Sequence, residues 1–175
     1  MLRTQLEQPV EVVTKMILPE TSTADNMVNL LEENHLIKLL ADKRHVVDIY
    51  EEIIEVNSTT NQIENYMVIV EKAVNDLSSI TSIWFDEDRN IEESEYFSNE
   101  KLFYFLFKSC EALSYCHEQG VYYGDCKEAN FLVFRDYKVK LGDFGVSFHI
   151  PSDTPPDEKD LQLKGLTYNY SLPNL

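Results

Sequence analysis

The feature that most constrains the fold is a polar loop followed by two short apolar runs. The loop and first run read "YYGDCKEANFLVF" over residues 122–134, and the second reads "VKLGDFG" over residues 139–145. The turn-forming "RDYK" between the runs predicts a β-hairpin. Carboxylate and amide oxygens are the ligands that Mg²⁺ prefers in proteins. Because the loop and the end of the hairpin both carry them, we expect a cation or phosphate site here.

Each polar residue of these two segments has a chemical role in such a site. Asp125 can accept a proton from an attacking hydroxyl, and Lys127 can bring a compact positive charge to the same phosphoryl group. Asn130 and Asp143 offer oxygen ligands to Mg²⁺, and Gly145 permits a backbone turn that a Cβ would resist. Phosphoryl transfer depends mainly on positioning and charge compensation, so the pattern predicts a phosphoryl-transfer site.

Length, charge and cysteine content limit which partners and which cellular compartment are expected for the chain. The length of 175 residues suits one domain or two small lobes, and the net charge of −16 argues against nucleic acid and anionic membranes as partners. Cys110, Cys116 and Cys126 form no CxxC pair, and their odd number argues against a disulfide framework. No apolar run has the length of a membrane span or the character of a signal peptide. We therefore expect a soluble, cytoplasmic protein.

Hydrophobic periodicity predicts strand, helix, several strands, long helix, loop and hairpin, in that order. The segments are a strand at 10–18, a helix at 22–44, one or two strands within 45–56, a strand buried on both faces at 66–70, a helix at about 99–118 and the hairpin. No helix is predicted between residues 70 and 98. This order indicates an α+β protein, with a sheet-rich lobe over residues 1–72 and a helical lobe over residues 73–175.

The two helices have predicted boundaries and packing faces. In the first helix, Leu30, Glu33, Ile37 and Leu40 share a face. Ser98 is expected to cap the long helix and Gly120 to close it. The predicted apolar stripe of the long helix consists of Leu102, Leu106, Cys110, Leu113 and either Cys116 or His117.

The strings "YGDCKEANFLV" and "GDFGVS" resemble the catalytic loop and the metal-binding DFG motif of eukaryotic protein kinases, whose loop reads HRDLKPxN. The chain keeps Asp125, Lys127, Asn130 and Asp143 at the family spacing, whereas Gly124 replaces the loop arginine. The resemblance implies a two-lobe kinase fold that uses ATP and Mg²⁺ and acts on a protein substrate. Lys127 is similar to the lysine of the serine/threonine class.

Segments upstream resemble the part of a kinase that binds phosphates. "VVTK" is similar to the strand that carries the phosphate-anchoring lysine, here Lys15, and "ENHLIKLL" is similar to the helix that carries its ion-pair partner. That partner is expected to be Glu33, with Glu32 as the alternative. Ile37, Ile49, Tyr123 and Phe144 correspond to the apolar spine that joins the lobes of a kinase.

The string "MVIVEKAVNDL" resembles the strand and hinge that hold adenine in a kinase. The resemblance implies that Val70 is the gatekeeper, that Glu71 and Ala73 offer backbone groups to adenine, and that Asp76 binds ribose. Leu132 is expected to lie under the base.

The resemblance runs from about residue 10 to residue 174. "KGLTYNYSLPN" is similar to the substrate-receiving segment, with Gly165 and with Thr167 near the acceptor hydroxyl. No glycine precedes Gly120, so the glycine-rich loop and the first two strands of a kinase have no counterpart before Lys15. We expect either a fragment truncated at both ends or a chain that a partner completes.

Two other functions remain open at this stage. "YGD" also resembles the HGD loop of aminoglycoside and choline phosphotransferases, which would make the chain a small-molecule kinase. A catalytically inactive, kinase-like interaction module is the other alternative.

Overall fold

The computed structural model describes residues 11–16, 24–40, 42–60, 63–84 and 98–151. In chain order the elements are β1 (Val12–Met16), α1 (Ala24–Leu39), β2 (Ile49–Val56), β3 (Ile63–Glu71), β4 (Asn75–Asp76), α2 (Leu77–Trp84), α3 (Asn99–Glu118), β5 (Val121–Tyr122), β6 (Phe131–Val133), β7 (Val139–Leu141) and β8 (Phe148–His149). Helices thus accompany small antiparallel sheets, which confirms the predicted α+β class.

A three-stranded antiparallel sheet with the order β1-β3-β2 forms the first part of the fold. In the central strand, Tyr66 and Val68 are buried, whereas Met67 and Ile69 are only partly buried. The prediction that this strand is buried on both faces is therefore wrong. Asn34 of α1 donates to the Tyr66 hydroxyl over 2.8 Å, so α1 lies against the Tyr66 face, which is the better covered of the two.

Helix α1 ends at Leu39, five residues before the predicted end at 44. The cause is local, because the Asp42 side chain accepts the backbone N–H of Arg44 over 3.0 Å and so forms a turn that competes with the helix. The predicted packing face is otherwise present. Glu33, Ile37 and Leu40 are buried, and Leu30 is partly buried.

Helix α2 is an element that the sequence analysis missed. Asp76 precedes it and acts as its cap, accepting the Ser79 backbone N–H and the Ser79 hydroxyl, both over 2.8 Å. Leu77 and Ile80 fix the helix to the core because both side chains are buried. The available sequence signal was Asp76 directly before Leu77 and Ile80, because aspartate is a favoured residue at the position that caps a helix.

Helix α3 has the predicted boundaries. The Ser98 side chain accepts the backbone N–H of Lys101 over 3.2 Å, and Gly120 follows the helix with φ of 74°, a conformation that glycine adopts without strain.

The predicted apolar stripe of α3 is partly wrong, although Cys116 is buried and Leu113 packs against the core as expected. Leu106 and Cys110 are exposed, and the buried side chains are those of Phe105, Ser109, Ala112 and Cys116. Small residues such as Ser109 and Ala112 let a helix approach a neighbouring strand closely, and here that neighbour is β7. Packing therefore follows the shape of the face and not its apolar content alone.

The β6–β7 hairpin forms a second sheet with β4, and β5 pairs with β8. Leu141 ties the hairpin to the chain after α1, since its backbone bonds His45 and Val47 over 2.8 and 2.9 Å. One core joins all these elements, and it consists of Leu36, Ile37, Leu40, Val46, Val47, Leu77, Ile80, Phe105, Ala112, Cys116, Val121, Tyr123, Phe131, Val133, Val139, Leu141 and Phe144. The hairpin, whose two ends carry the polar segments of interest, is thus held rigidly from both sides.

Candidate active site

Lys15 of β1 and Glu33 of α1 form an ion pair. The Lys15 ammonium donates to both Glu33 carboxylate oxygens, at 2.6 and 2.8 Å. Glu33 is buried and so requires such a partner, whereas Glu32, the alternative partner, is exposed. The pair fixes the position of α1 relative to the sheet and leaves the lysine accessible from one side.

The loop after β5 holds the second group of polar residues. Asp125 is buried, and its side chain accepts from the Lys127 ammonium and, over 3.2 Å, from the Asn130 amide nitrogen. The same amide nitrogen donates to the Asp125 backbone carbonyl over 2.9 Å. Because the nitrogen of Asn130 makes these bonds, its amide oxygen is directed elsewhere and keeps the character of a cation ligand.

Asp143 lies at the other end of the hairpin. Its side chain is exposed and its backbone is left-handed, with φ of 53°, which aspartate tolerates better than most residues. Phe144, which follows it, is among the most buried side chains of the protein. The Gly142 backbone N–H donates to the Asn130 carbonyl over 3.0 Å, so the two ends of the hairpin are tied together.

Tyr123 supports both segments. Its hydroxyl donates to the Gly142 carbonyl, and its ring meets the Phe144 ring edge-on with centroids 5.1 Å apart. The sequence analysis assigned Tyr123 to an apolar spine and missed the role of its hydroxyl. The available signal was Tyr123 itself, because a tyrosine brings a hydroxyl to a position where an apolar or imidazole side chain was expected.

The carboxylates of Asp125 and Asp143 affect the pKa values of the same two side chains, those of Lys127 and Tyr123. The hydrogen bond from Asp125 raises the pKa of Lys127 above its ordinary value, and the negative charges of Asp125 and Asp143 add to this effect. Burial raises the pKa of Tyr123 strongly, and the charges of Asp143 and Asp125 contribute there as well. Together with the hydrogen bonds that Gly142 makes with Asn130 and Tyr123, these shared influences indicate that the two carboxylates lie in neighbouring segments.

Cys126 lies between Asp125 and Lys127 but is not an activated thiol. Burial raises its pKa above the ordinary value, and the charges of neighbouring acidic groups act in the same direction. A thiol of this kind is poorly ionised at neutral pH and packs as a small side chain.

The expected hinge follows β3 directly. Val70 is partly buried against the core, which suits a side chain that closes the back of a cleft. The Glu71 backbone N–H donates to the Asp48 carbonyl over 3.0 Å, so of its two backbone groups only the carbonyl is a candidate for adenine. Ala73 is partly buried between these residues and β4. Roles in binding adenine stay predictions for all three residues.

Asp76 and Leu132 are neighbours, because β4 pairs with β6 at these two positions. A Cβ on Gly142 would approach the Leu132 side chain to 2.7 Å, so any larger residue there would force Leu132 to move. The carboxylate of Asp76 caps α2, and a contact with ribose has to use an oxygen already engaged by Ser79. Gly165 and Thr167 lie outside the described residues.

The sequence as a whole matches one family. The family described as "Protein kinase domain" matches residues 3–175, which is nearly the entire chain. The chain belongs to the protein kinase domain family.

Individual kinases match over shorter stretches. The chain is 29% identical over 121 residues to the serine/threonine-protein kinase ROP18 of Toxoplasma gondii, covering 64% of this chain and 21% of that kinase. It is 35% identical over 65 residues to the Aurora/IPL1-related protein kinase 2 of Caenorhabditis elegans, covering 37% and 21%. It is 29% identical over 123 residues to mitogen-activated protein kinase 4 of rice, Oryza sativa subsp. japonica, covering 70% and 31%. The chain thus spans between a fifth and a third of the length of these relatives.

The donor set of this kinase domain fits Mg²⁺ and ATP, which protein kinases use as cofactor and substrate. No cluster of three or more His, Cys, Asp or Glu within the described ranges is arranged to hold a metal ion by itself. This agrees with Mg²⁺ chemistry, since Mg²⁺ is usually held by one or two carboxylates together with substrate phosphates. Of the helices that the structure describes, none is long and apolar enough to cross a membrane.

Proposed function

We propose that this kinase domain transfers the γ-phosphoryl group of ATP to a serine or threonine hydroxyl of a protein. The observation that carries the proposal is the hydrogen-bond network of Asp125, Lys127 and Asn130, which the bond from the Gly142 N–H to the Asn130 carbonyl ties to the segment that carries Asp143. Phosphoryl transfer needs this combination of proton acceptor, positive charge and metal ligands.

The residues divide the chemistry among them. As the acceptor oxygen bonds to the γ-phosphorus and the bond to the β-phosphate oxygen breaks, Asp125 receives the hydroxyl proton. Lys127, already paired with Asp125, neutralises charge on the transferred group. Asn130 through its amide oxygen and Asp143 through its carboxylate would hold Mg²⁺, which supplies charge compensation for the phosphates.

Lys15 is proposed to bind the α- and β-phosphates. Glu33 fixes the direction of its ammonium through two hydrogen bonds, and the lysine side chain remains about half exposed. A lysine held in this way can bind a phosphate as a point charge without losing its carboxylate partner.

We further propose a reducing, cytoplasmic setting, with neither nucleic acid nor a membrane as partner. Cys110, Cys116 and Cys126 are all free thiols, and the net charge is −16. The protein substrate, and any segment or partner that completes the domain, are to be identified by experiment.

A titration of the full chain with ATP in the presence and absence of Mg²⁺, followed by calorimetry, tests the nucleotide site. We expect Mg²⁺-dependent binding that Asp143→Asn abolishes. Asp136→Asn is the matched control, because Asp136 is also left-handed, with φ of 60°, but lies on the hairpin turn away from the site. Equal binding by the two variants, or no binding by the wild type, would contradict the proposal. Transfer to an aminoglycoside but not to a protein would favour the small-molecule alternative.

A further inference from the structure

A surface cavity of about 560 Å³ collects positive charge on an otherwise acidic protein. Five of the fifteen lysine and arginine residues of the chain line it, and none of the proposed catalytic or metal-binding residues does. The lining residues are Lys43, Arg44, His45, Tyr104, Lys108, Glu111, Lys138, Val139 and Lys140. We call it the basic cavity.

The fold builds the basic cavity from three separate segments. Arg44 comes from the turn after α1, which the Asp42 side chain stabilises. Lys108 comes from α3, and Lys138 from the loop of the β6–β7 hairpin. Residues so far apart in sequence meet here only because α3 and the turn after α1 pack on the same hairpin.

The cations of the basic cavity are paired, but the pairs differ in strength. Lys43 and Lys138 stand 3.8 Å from Asp48 and Asp136, whereas Arg44, although 83% exposed, binds both carboxylate oxygens of Asp42. Long ion pairs at the surface contribute little free energy, so Lys43 and Lys138 can change partners at low cost. Lys140 differs, because its buried pair with Glu71 holds it in the wall of the cavity.

The partner carboxylates lie largely outside the cavity. Of the acidic residues that pair with these cations, only Glu111 belongs to the lining, where it binds Lys108 over 2.5 Å. Glu111 raises the pKa of Lys108 above its ordinary value, and the nearby positive charge of Arg44 opposes this effect. Arg44 and Lys108 both line the basic cavity and can therefore act on one ligand.

We propose that the basic cavity binds a compact, soluble ligand that carries several phosphate groups. A phosphate group carries up to about two negative charges and so competes with the single charge of the internal carboxylates, which a peptide carboxylate would not do. An extended anionic surface is disfavoured, since the net charge of −16 repels a membrane or a nucleic acid. A small polyphosphate within about 10 Å of the cations experiences mainly their local field.

The test is a calorimetric titration of the full chain with inorganic tripolyphosphate as the probe. The double variant Arg44→Gln/Lys108→Gln is expected to bind at least about tenfold more weakly than the wild type. Lys38→Gln/Lys72→Gln is the control matched in charge, because both lysines are exposed and lie outside the basic cavity. Its affinity is expected to stay within about twofold of the wild type.

Asp143→Asn separates the basic cavity from the nucleotide site. It is expected to retain tripolyphosphate binding even as it loses Mg²⁺-ATP, so a failure here and a failure of the proposed kinase function are distinguishable. Lys138→Gln, on an exposed side chain, provides a second test should the double variant melt at a lower temperature. The proposal is overturned by absence of wild-type binding or by equal losses in the test and control variants. Binding of a hexaglutamate peptide, or of vesicles with anionic lipid, in preference to tripolyphosphate would also overturn it.

Discussion

Two ion pairs join the sheet strands of this kinase domain to distant parts of the chain, and they differ in exposure. In the Lys15–Glu33 pair, the lysine side chain is 46% exposed and the glutamate 8%. In the Lys140–Glu71 pair, the values are 10% and 13%. Both pairs satisfy a buried carboxylate, but only the first presents its ammonium to solvent. A lysine–glutamate pair therefore stabilises the fold at Lys140–Glu71, whereas at Lys15–Glu33 its ammonium is also available to a ligand.

The surroundings of each pair support this difference. Glu71 also accepts the Asp48 backbone N–H over 2.7 Å, and Lys140 lies over the Phe134 ring at 4.9 Å. Lys15, in contrast, lies on the edge strand β1, whose side chains are all exposed. A phosphate can approach Lys15 without displacing packed side chains, whereas the Lys140 side chain is only 10% exposed and is engaged by Glu71.

The largest expected effect on stability comes from breaking the Lys140–Glu71 pair. Glu71→Ala leaves the Lys140 ammonium buried without a partner, and we expect the free energy of unfolding to fall by about 3–5 kcal/mol. Urea denaturation measures the loss, and adding Lys140→Met to the variant should recover much of it. A loss below about 1 kcal/mol would show that the two pairs do not differ as described.

Breaking the Lys15–Glu33 pair should affect phosphate transfer as well as the fold. Lys15→Met is expected to lower the rate of phosphate transfer about 10²- to 10³-fold, because the phosphates lose a fixed positive charge. The free energy of unfolding should fall as well, because Glu33 is only 8% exposed and loses its cationic partner. Enzyme assays and urea denaturation of the same preparation check both. Unchanged transfer would remove Lys15 from the proposed site.

Tyr66 is a buried polar group whose partner is a carboxylate and not a cation. Its titration shows how burial affects a group that is neutral at pH 7. Burial, together with the hydrogen bond to Glu52, raises the pKa of Tyr66 to about 12. A tyrosine in the unfolded chain ionises near pH 10, so the folded form keeps its proton more tightly. Stability is therefore fully present below about pH 10 and declines by up to about 2–3 kcal/mol as the pH rises to 12. Tyr66→Phe should lack this part of the decline, and identical pH profiles would contradict the assignment.

The smallest effect is expected from a pair that is exposed. Lys38, which binds Glu52, has a side chain that is 53% exposed, and Lys38→Gln should change the free energy of unfolding by less than about 1 kcal/mol. Mg²⁺-ATP affinity should not change. If Lys38→Gln lowered the free energy of unfolding nearly as much as Glu71→Ala, exposure would not explain the different strengths of the ion pairs.

Local signals made several elements predictable from the sequence. Ser98 and Gly120 mark the two ends of α3 through capping and a left-handed turn, and the hairpin follows from "RDYK" between two apolar runs. The loop residues Asp125, Lys127 and Asn130 lie within six positions, so their network is also local. Features of this kind depend on neighbours in sequence, which a pattern records.

Features that depend on distant packing were not predictable in the same way. The buried face of α3 is set by its contact with β7, and apolar content alone indicated the exposed Leu106 and Cys110 instead. The Lys140–Glu71 pair spans 69 positions, and the basic cavity joins three segments. Nothing in the local pattern of any one segment specifies such a contact, because it forms only when the elements dock.

The most direct test of the proposed function measures phosphate transfer and nucleotide binding in the same variant. Asp125→Asn is expected to lower the rate of phosphate transfer from ATP to a protein substrate by about 10²- to 10⁴-fold, because the proton acceptor is lost. Its dissociation constant for Mg²⁺-ATP should stay within about threefold of the wild type, as Asp125 is not proposed to hold the metal. Transfer by Asp125→Asn at the wild-type rate, or no transfer by the wild-type chain, would contradict the account.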